Sequence, residues 1–250
     1  MIIRMSYVLI VLLVLADGIA AQEFKEEQLR YGRVKQAYEE KGSLVETLFR
    51  VNEIDTAGRQ IFIRVFKQEH LLEVWGKDSL HETFVLLKEY HICRISGSEG
   101  PKRRQGDKQI PEGCYHIDRF NPWSNFHLSL GINYPNASDR VLSDKKHPGG
   151  EIFIHGSCVT IGCIPMTDDR IKEIYILAVE AKDKGQTYIH VHIFPCRMEG
   201  EVYEELTEKH ADEDKLISFW SNLEEAYLFF EQNRTIPEFT VDKDGHYCFH

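Results

Sequence analysis

The spacing of apolar residues along this 250-residue chain changes several times. Tyr7–Leu15, inside MIIRMSYVLIVLLVLADGIAA, is an unbroken apolar run. It is too short for the ~20 residues that cross a bilayer. Arg4 precedes it and Gly18, Ala20 and Ala21 follow, so residues 1–21 predict a secretory signal peptide. Residues 22–56 predict an N-terminal helical segment, with Gly42-Ser43 as a break and a fresh N-cap. From Arg59 the period becomes two, and QIFIRVF, LLEVW and FVLLKEYHICRI read as strands. A polar loop with the basic run Lys102-Arg103-Arg104 follows, then the strand-like CYHIDRF, HLSLGINY and EIFIHG. Thr167 to Lys184 carries Ile171, Ile174, Tyr175, Ala178 and Ala181 at helical spacing. Thr167 is the expected N-cap, Asp168 and Asp169 complement the dipole, and Gly185 ends the helix. TYIHVHIF alternates again, and Asp212–Asn233 is amphipathic around Leu216, Trp220, Leu223, Tyr227 and Phe230. The pattern predicts a mainly-β domain over 57–200 with helices packed on its sheet. A C-terminal helical extension, 201–250, packs on that domain.

Composition narrows the function. With 42% hydrophobic and 28% charged residues the chain is globular rather than disordered. Lys+Arg number 30 against 40 Asp+Glu, a net charge of −10. That balance excludes the basic footprint of a nucleic-acid binder and of a polybasic membrane-surface protein. No second apolar run is long enough for stable membrane insertion. The mature protein is expected outside the cytosol, where disulfides are permitted.

The densest chemistry lies in His155-Gly-Ser-Cys158-Val-Thr160-Ile-Gly162-Cys163, between a strand and a helix N-terminus. A thiol attacks only as thiolate, and a neighbouring imidazole lowers its pKa and shuttles the proton. Gly162 would let the backbone approach a substrate carbonyl, and the amides around Cys163 would form an oxyanion hole. Alternatives remain open at this level. His155 and Cys163 could be core residues. His155, Cys158 and Cys163 could bind zinc with His190 and His192, although strand alternation makes those two histidines solvent-facing.

The pattern HG-x-x-x-[ST]-x-G-C resembles the signature of the L,D-transpeptidase catalytic domain, or YkuD family, and most closely its YafK-like branch. The segments around Gly100–Asp107, Pro111–Gly113, His127–Asn136, Asp139-Arg140, His192–Pro195 and Phe219–Gln232 resemble that branch in the same order. The resemblance implies an L,D-transpeptidase-like β-sandwich or barrel and no cofactor. Cys163 would be the nucleophile and His155 the base, with Gly156 orienting the imidazole through its carbonyl. Thr160 would be the signature hydroxyl and Gly162 part of the same loop. His127, Lys102, Arg103, Arg104 and Arg140 would bind substrate. The implied partners are peptidoglycan stem peptides in the periplasm or cell envelope, with a wall-attached protein as a further candidate. An acyl-enzyme would pass its acyl group to an amine, or to water in a hydrolase of the same fold. A catalytically silent wall-binding module is a different reading, against which the intact Cys163 and His155 argue. Pro165 stands where the common signature has an arginine, which puts ordinary cross-linking in doubt. Cys93 and Cys158 resemble cysteines of the same branch and are expected to form a disulfide. Cys114 and Cys196 are candidates for a second bridge, leaving Cys248 over.

Overall fold

The computed structural model describes residues 23–250. The predicted signal peptide, 1–21, lies outside the described residues. After a helical turn at 23–28 comes α1 (Gly32–Val51). It passes through Gly42-Ser43 unbroken, contrary to expectation; the chain bends instead at 29–31. Its buried stripe of Val34, Ala37, Val45 and Phe49 supplies the apolar face that helix stability requires.

The alternating segments form β1 (Gln60–Phe66), β2 (Leu71–Lys77), β3 (Val85–His91), β4 (Gly113–Asn121) and β5 (Ser129–Ile132). Next come α2 (Ala137–Leu142), β6 (Phe153–His155), β7 (Ile164–Pro165), α3 (Asp168–Asp183) and β8 (His190–Phe194). The eight strands make one mixed sheet in the order β3-β2-β1-β8-β4-β5-β6-β7. The expected L,D-transpeptidase-like β architecture is realised as a curled half-barrel. Its two edges approach each other: the Cys93 N–H, just past β3, donates to the Pro165 carbonyl at the end of β7, 3.1 Å away. The Cys93–Cys158 disulfide staples the same seam, with Cα atoms 5.7 Å apart.

Both faces of the sheet are covered, so alternation in β1 does not separate core from solvent. Ile61, Ile63 and Val65 join the core shared with α1 and α3. Phe62 and Phe66 pack on the side of α5 (Asp214–Asn233), against Phe230 and Tyr227 respectively. Arg64 is fully buried there between Glu73 (2.7 Å) and Glu231 (2.7 Å). Lys67, 2.6 Å from Glu112, forms a second buried pair, and Trp220 Nε1 donates to the same carboxylate. These charges tie α5 to the sheet.

The acidic stretch after Glu199 contains α4 (Gly200–Lys209), anchored by buried Leu206. The hairpin β9 (Phe239–Val241) and β10 (Tyr247–Phe249) was not anticipated. Its buried Tyr247 hydroxyl accepts from the Cys114 amide. Cys114 and Cys196 are free buried thiols, so the second bridge does not form. Cys114 is level with His192 on β8, whereas Cys196 lies past that strand's end. His192 is also fully buried rather than solvent-facing, because α5 covers that face of β8 through Tyr227 and Phe230.

Candidate active site

Sequence and sheet topology together place His155 and Cys163. β6 and β7 are parallel neighbours joined by only the 156–163 loop, with Ile154 level with Ile164 and His155 level with Pro165. Such a short parallel return is possible because the strands are short, and it turns through positive φ at Ser157 (62°) and Gly162 (133°). Ile154 and Ile164 are both buried in the core. Side chains alternate across a strand, so His155 and Cys163 share the opposite face, set diagonally.

His155 is buried, and its Nδ1–H donates to the Gly156 carbonyl at 2.5 Å. That bond leaves Nε2 as the basic nitrogen. The Phe126 ring lies against the imidazole, centroids 4.7 Å apart. Burial pushes the His155 pKa below the ordinary imidazole value, and the bond to Gly156 opposes it.

Cys163 is half-buried, and its thiol points to the Glu151 carbonyl at 3.6 Å. Burial raises its pKa above the usual thiol value. The Phe153 backbone amide and the Lys102 ammonium favour the thiolate, and Glu151 opposes it. The expected thiolate–imidazolium pair is not formed in this arrangement, because the Cys163 thiol contacts the Glu151 carbonyl rather than His155.

The loop is braced from several sides. Thr160 Oγ1 donates to the Cys163 carbonyl at 2.7 Å and accepts from the Gly162 N–H at 3.1 Å. Gly162's amide is thus occupied and is no free oxyanion donor. Its missing side chain serves packing, since a Cβ there would sit 3.0 Å from the Gln109 carbonyl. At Gly156 a Cβ would come within 2.5 Å of the Phe126 carbonyl and 2.6 Å of Asp168 Oδ1. Asp168 instead accepts from the Ser157 N–H at 2.7 Å, which fixes the loop to the start of α3. Thr167 stands at the expected N-cap position, but its hydroxyl makes no capping bond.

The expected substrate-binding cations separate. Lys102 is buried and lines a cavity of about 660 Å³ whose wall includes Cys163. Arg103 points elsewhere, pairing with Asp139 at 3.3 Å and lying over the Phe219 ring. Arg104 is exposed, and its carbonyl accepts from Lys102. Arg140 is exposed on α2 and does not line the Cys163 cavity. His127 sits behind Gly156, half-buried, with φ 70°. Cys158 is consumed by the disulfide, which removes it from the zinc alternative.

Residues 60–193 match the profile of the YkuD family, the L,D-transpeptidase catalytic domain. The chain belongs to this family. It is 37% identical over 186 residues to YafK of Escherichia coli (strain K12), whose name gives an L,D-transpeptidase activity as provisional. That alignment covers 74% of this chain and 72% of YafK, and YafK of Escherichia coli O157:H7 matches in the same terms. Among solved structures, the helical cell shape determining protein Pgp2 from Campylobacter jejuni matches with a TM-score of 0.45 and 16% identity, over 78% of this chain and 79% of that one. Bdellovibrio bacteriovorus Bd1075 matches with a TM-score of 0.40 and 22% identity, over 68% and 62%. Family membership ties the chain to peptidoglycan chemistry.

Around this L,D-transpeptidase-family site the structure adds residues that sequence reasoning missed. Arg33 of α1 donates to the carbonyls of Ser124 and His127, the latter at 2.7 Å. The N-terminal helix thereby holds the 122–128 loop that carries Phe126 over His155. Trp123 on this loop is exposed, its edge against Tyr31. An arginine on a charged helix gives no local signal of such a contact. Phe153 and Glu151 act through backbone groups, which sequence cannot reveal.

Proposed function

We propose that the protein is an exported, peptidoglycan-modifying peptidyltransferase in which Cys163 is the nucleophile and His155 the general base. The observation that carries this reading is the β6–β7 pair. It sets a half-buried thiol at a cavity wall, on the same face as an imidazole whose tautomer a backbone carbonyl fixes. Catalysis requires the Cys163 thiol to leave the Glu151 carbonyl and turn to His155. His155 Nε2 takes the thiol proton as sulfur attacks the carbonyl carbon of the L-to-D bond after the third stem residue. The carbon–nitrogen bond then breaks, the proton passes to the leaving amine, and a thioester remains on Cys163. An acceptor amine or water releases the acyl group. Thr160 and the Cys93–Cys158 bridge position the loop without touching substrate.

Residues 1–21 are read as an export signal, placing the enzyme in the periplasm or cell envelope. Transfer to an amine is favoured as the family's activity. The alternative is hydrolysis of diaminopimelate-linked bonds, in cross-links or wall-protein tethers, through the same acyl-enzyme. Purified mature protein incubated with defined muropeptides, with and without an added acceptor amine, tests the reading by product mass. Acyl transfer products support the transferase and shortened stems alone support the hydrolase. Unchanged substrate in both arms contradicts either activity.

A further inference from the structure

Lys102 is a buried cation held beside the nucleophile. An ammonium has three donors. Two are used among the described residues: Nζ donates to Asp107 Oδ1 at 2.6 Å and to the Arg104 carbonyl at 2.9 Å. Asp107 is the counter-ion of Lys102, and its carboxylate is shared with backbone donors. The N–H groups of Arg103 and Arg104 donate to Oδ2, both at 2.9 Å, and that of Gln109 to Oδ1 at 3.1 Å. Gly149-Gly150 line the cavity beside Lys102. A Cβ on Gly149, where φ is 86°, would stand 2.8 Å from Lys102 Cε, and nothing lies within 4 Å of a Cβ on Gly150. A side chain on Gly149 would press on the lysine, which lines the cavity together with both glycines. The same wall carries Lys108, Lys146 and His147 against a single acid, Glu151. On a chain of net charge −10 this cationic wall is a local reversal.

We propose that the third donor of Lys102 binds one free carboxylate of the donor stem peptide, so that the enzyme discriminates free from amidated stems. This rests on the stem-peptide reading of the Cys163 site and names its specificity determinant. An amide at that position carries no charge and offers the ammonium only a neutral carbonyl acceptor. Loss of a charge-assisted bond of this kind weakens binding about tenfold or more.

The test measures binding rather than turnover, in full-length mature protein carrying Cys163→Ala. The probes are a stem tetrapeptide with all carboxylates free and its derivatives amidated at one carboxyl at a time. One amide is expected to bind at least about tenfold more weakly than the free peptide, the others within about twofold. Lys102→Met is expected to erase that difference. Because removing one member of a buried pair can unfold a protein, Lys102→Met with Asp107→Asn is measured alongside. Equal affinity for the free peptide and every amide overturns the Lys102 assignment while leaving the stem-peptide reading intact. Discrimination that persists in a folded Lys102 variant does the same. Binding of no peptide at all overturns the stem-peptide reading, and this inference with it.

Discussion

The Cys93–Cys158 disulfide joins the two edges of the curled sheet and anchors the loop between His155 and Cys163, so its removal has a calculable cost. The bridge spans 65 residues. Closing a loop of that length removes denatured-chain entropy equivalent to about 4 kcal/mol at 25 °C. Replacing both cysteines with alanine should lower unfolding stability by that amount and the Tm by roughly 8–16 °C for a domain of this size. The assay is urea unfolding without reductant, on a Cys163→Ala background so that the nucleophile cannot exchange with the bridge. The m-value should rise in the unbridged protein, because its unfolded chain exposes more surface. A stability loss under about 1 kcal/mol would refute the loop-closure argument. Peptide mapping that joined Cys158 to Cys163 would refute the proposed nucleophile as well.

Other outcomes follow from the same geometry. Burial lowers the His155 pKa, so the acid limb of kcat/KM should have its midpoint below about 6.5, the ordinary imidazole value; a midpoint above it contradicts a desolvated base. Alkylation of resting Cys163 should still be accelerating above pH 8, because burial raises its pKa; a rate already flat at pH 7 would indicate a preformed thiolate. Gly156→Ala should cost about 1–3 kcal/mol and most of the turnover, since its Cβ meets the Phe126 carbonyl at 2.5 Å; wild-type kinetics would mean the loop does not need that approach. Burial raises the Asp139 pKa to about 6, so the folded state binds its proton more tightly than the unfolded chain does. Wild type should therefore gain about 2 kcal/mol relative to Asp139→Asn as pH falls from 7 to 4; a pH-independent difference in chemical denaturation would contradict this.

The strand and helix order was legible because the apolar spacing changes from one segment to the next, even where both faces of a strand are buried. Gly42-Ser43 misled because a glycine and a serine on an exposed helix face cost little once Val45 and Phe49 are packed. The buried charges Arg64, Glu73, Lys67 and Glu112 were invisible because each looks like an ordinary outward position until α5 covers that face. His192 misled for the same reason. Within the candidate site, His155, Gly156, Thr160, Gly162 and Cys163 stood out because they share one short loop. The basic run was legible only as a run. Strand ends and turns then sent Lys102 to the Cys163 cavity and Arg103 to Phe219. The thiol's orientation depends on the parallel register of β6 and β7, and no local pattern encodes that register.

The central claim is covalent catalysis at Cys163, and the most direct measurement is mass mapping of the acyl-enzyme. Wild-type mature protein is mixed with a defined stem tetrapeptide in the absence of acceptor, quenched in acid within the first turnover, and digested without reductant. The account predicts a thioester of the acyl donor on the peptide containing Cys163, absent in Cys163→Ala and strongly reduced in His155→Ala. Turnover retained by a folded Cys163→Ala protein, or an acyl group mapped to any other residue, would contradict it.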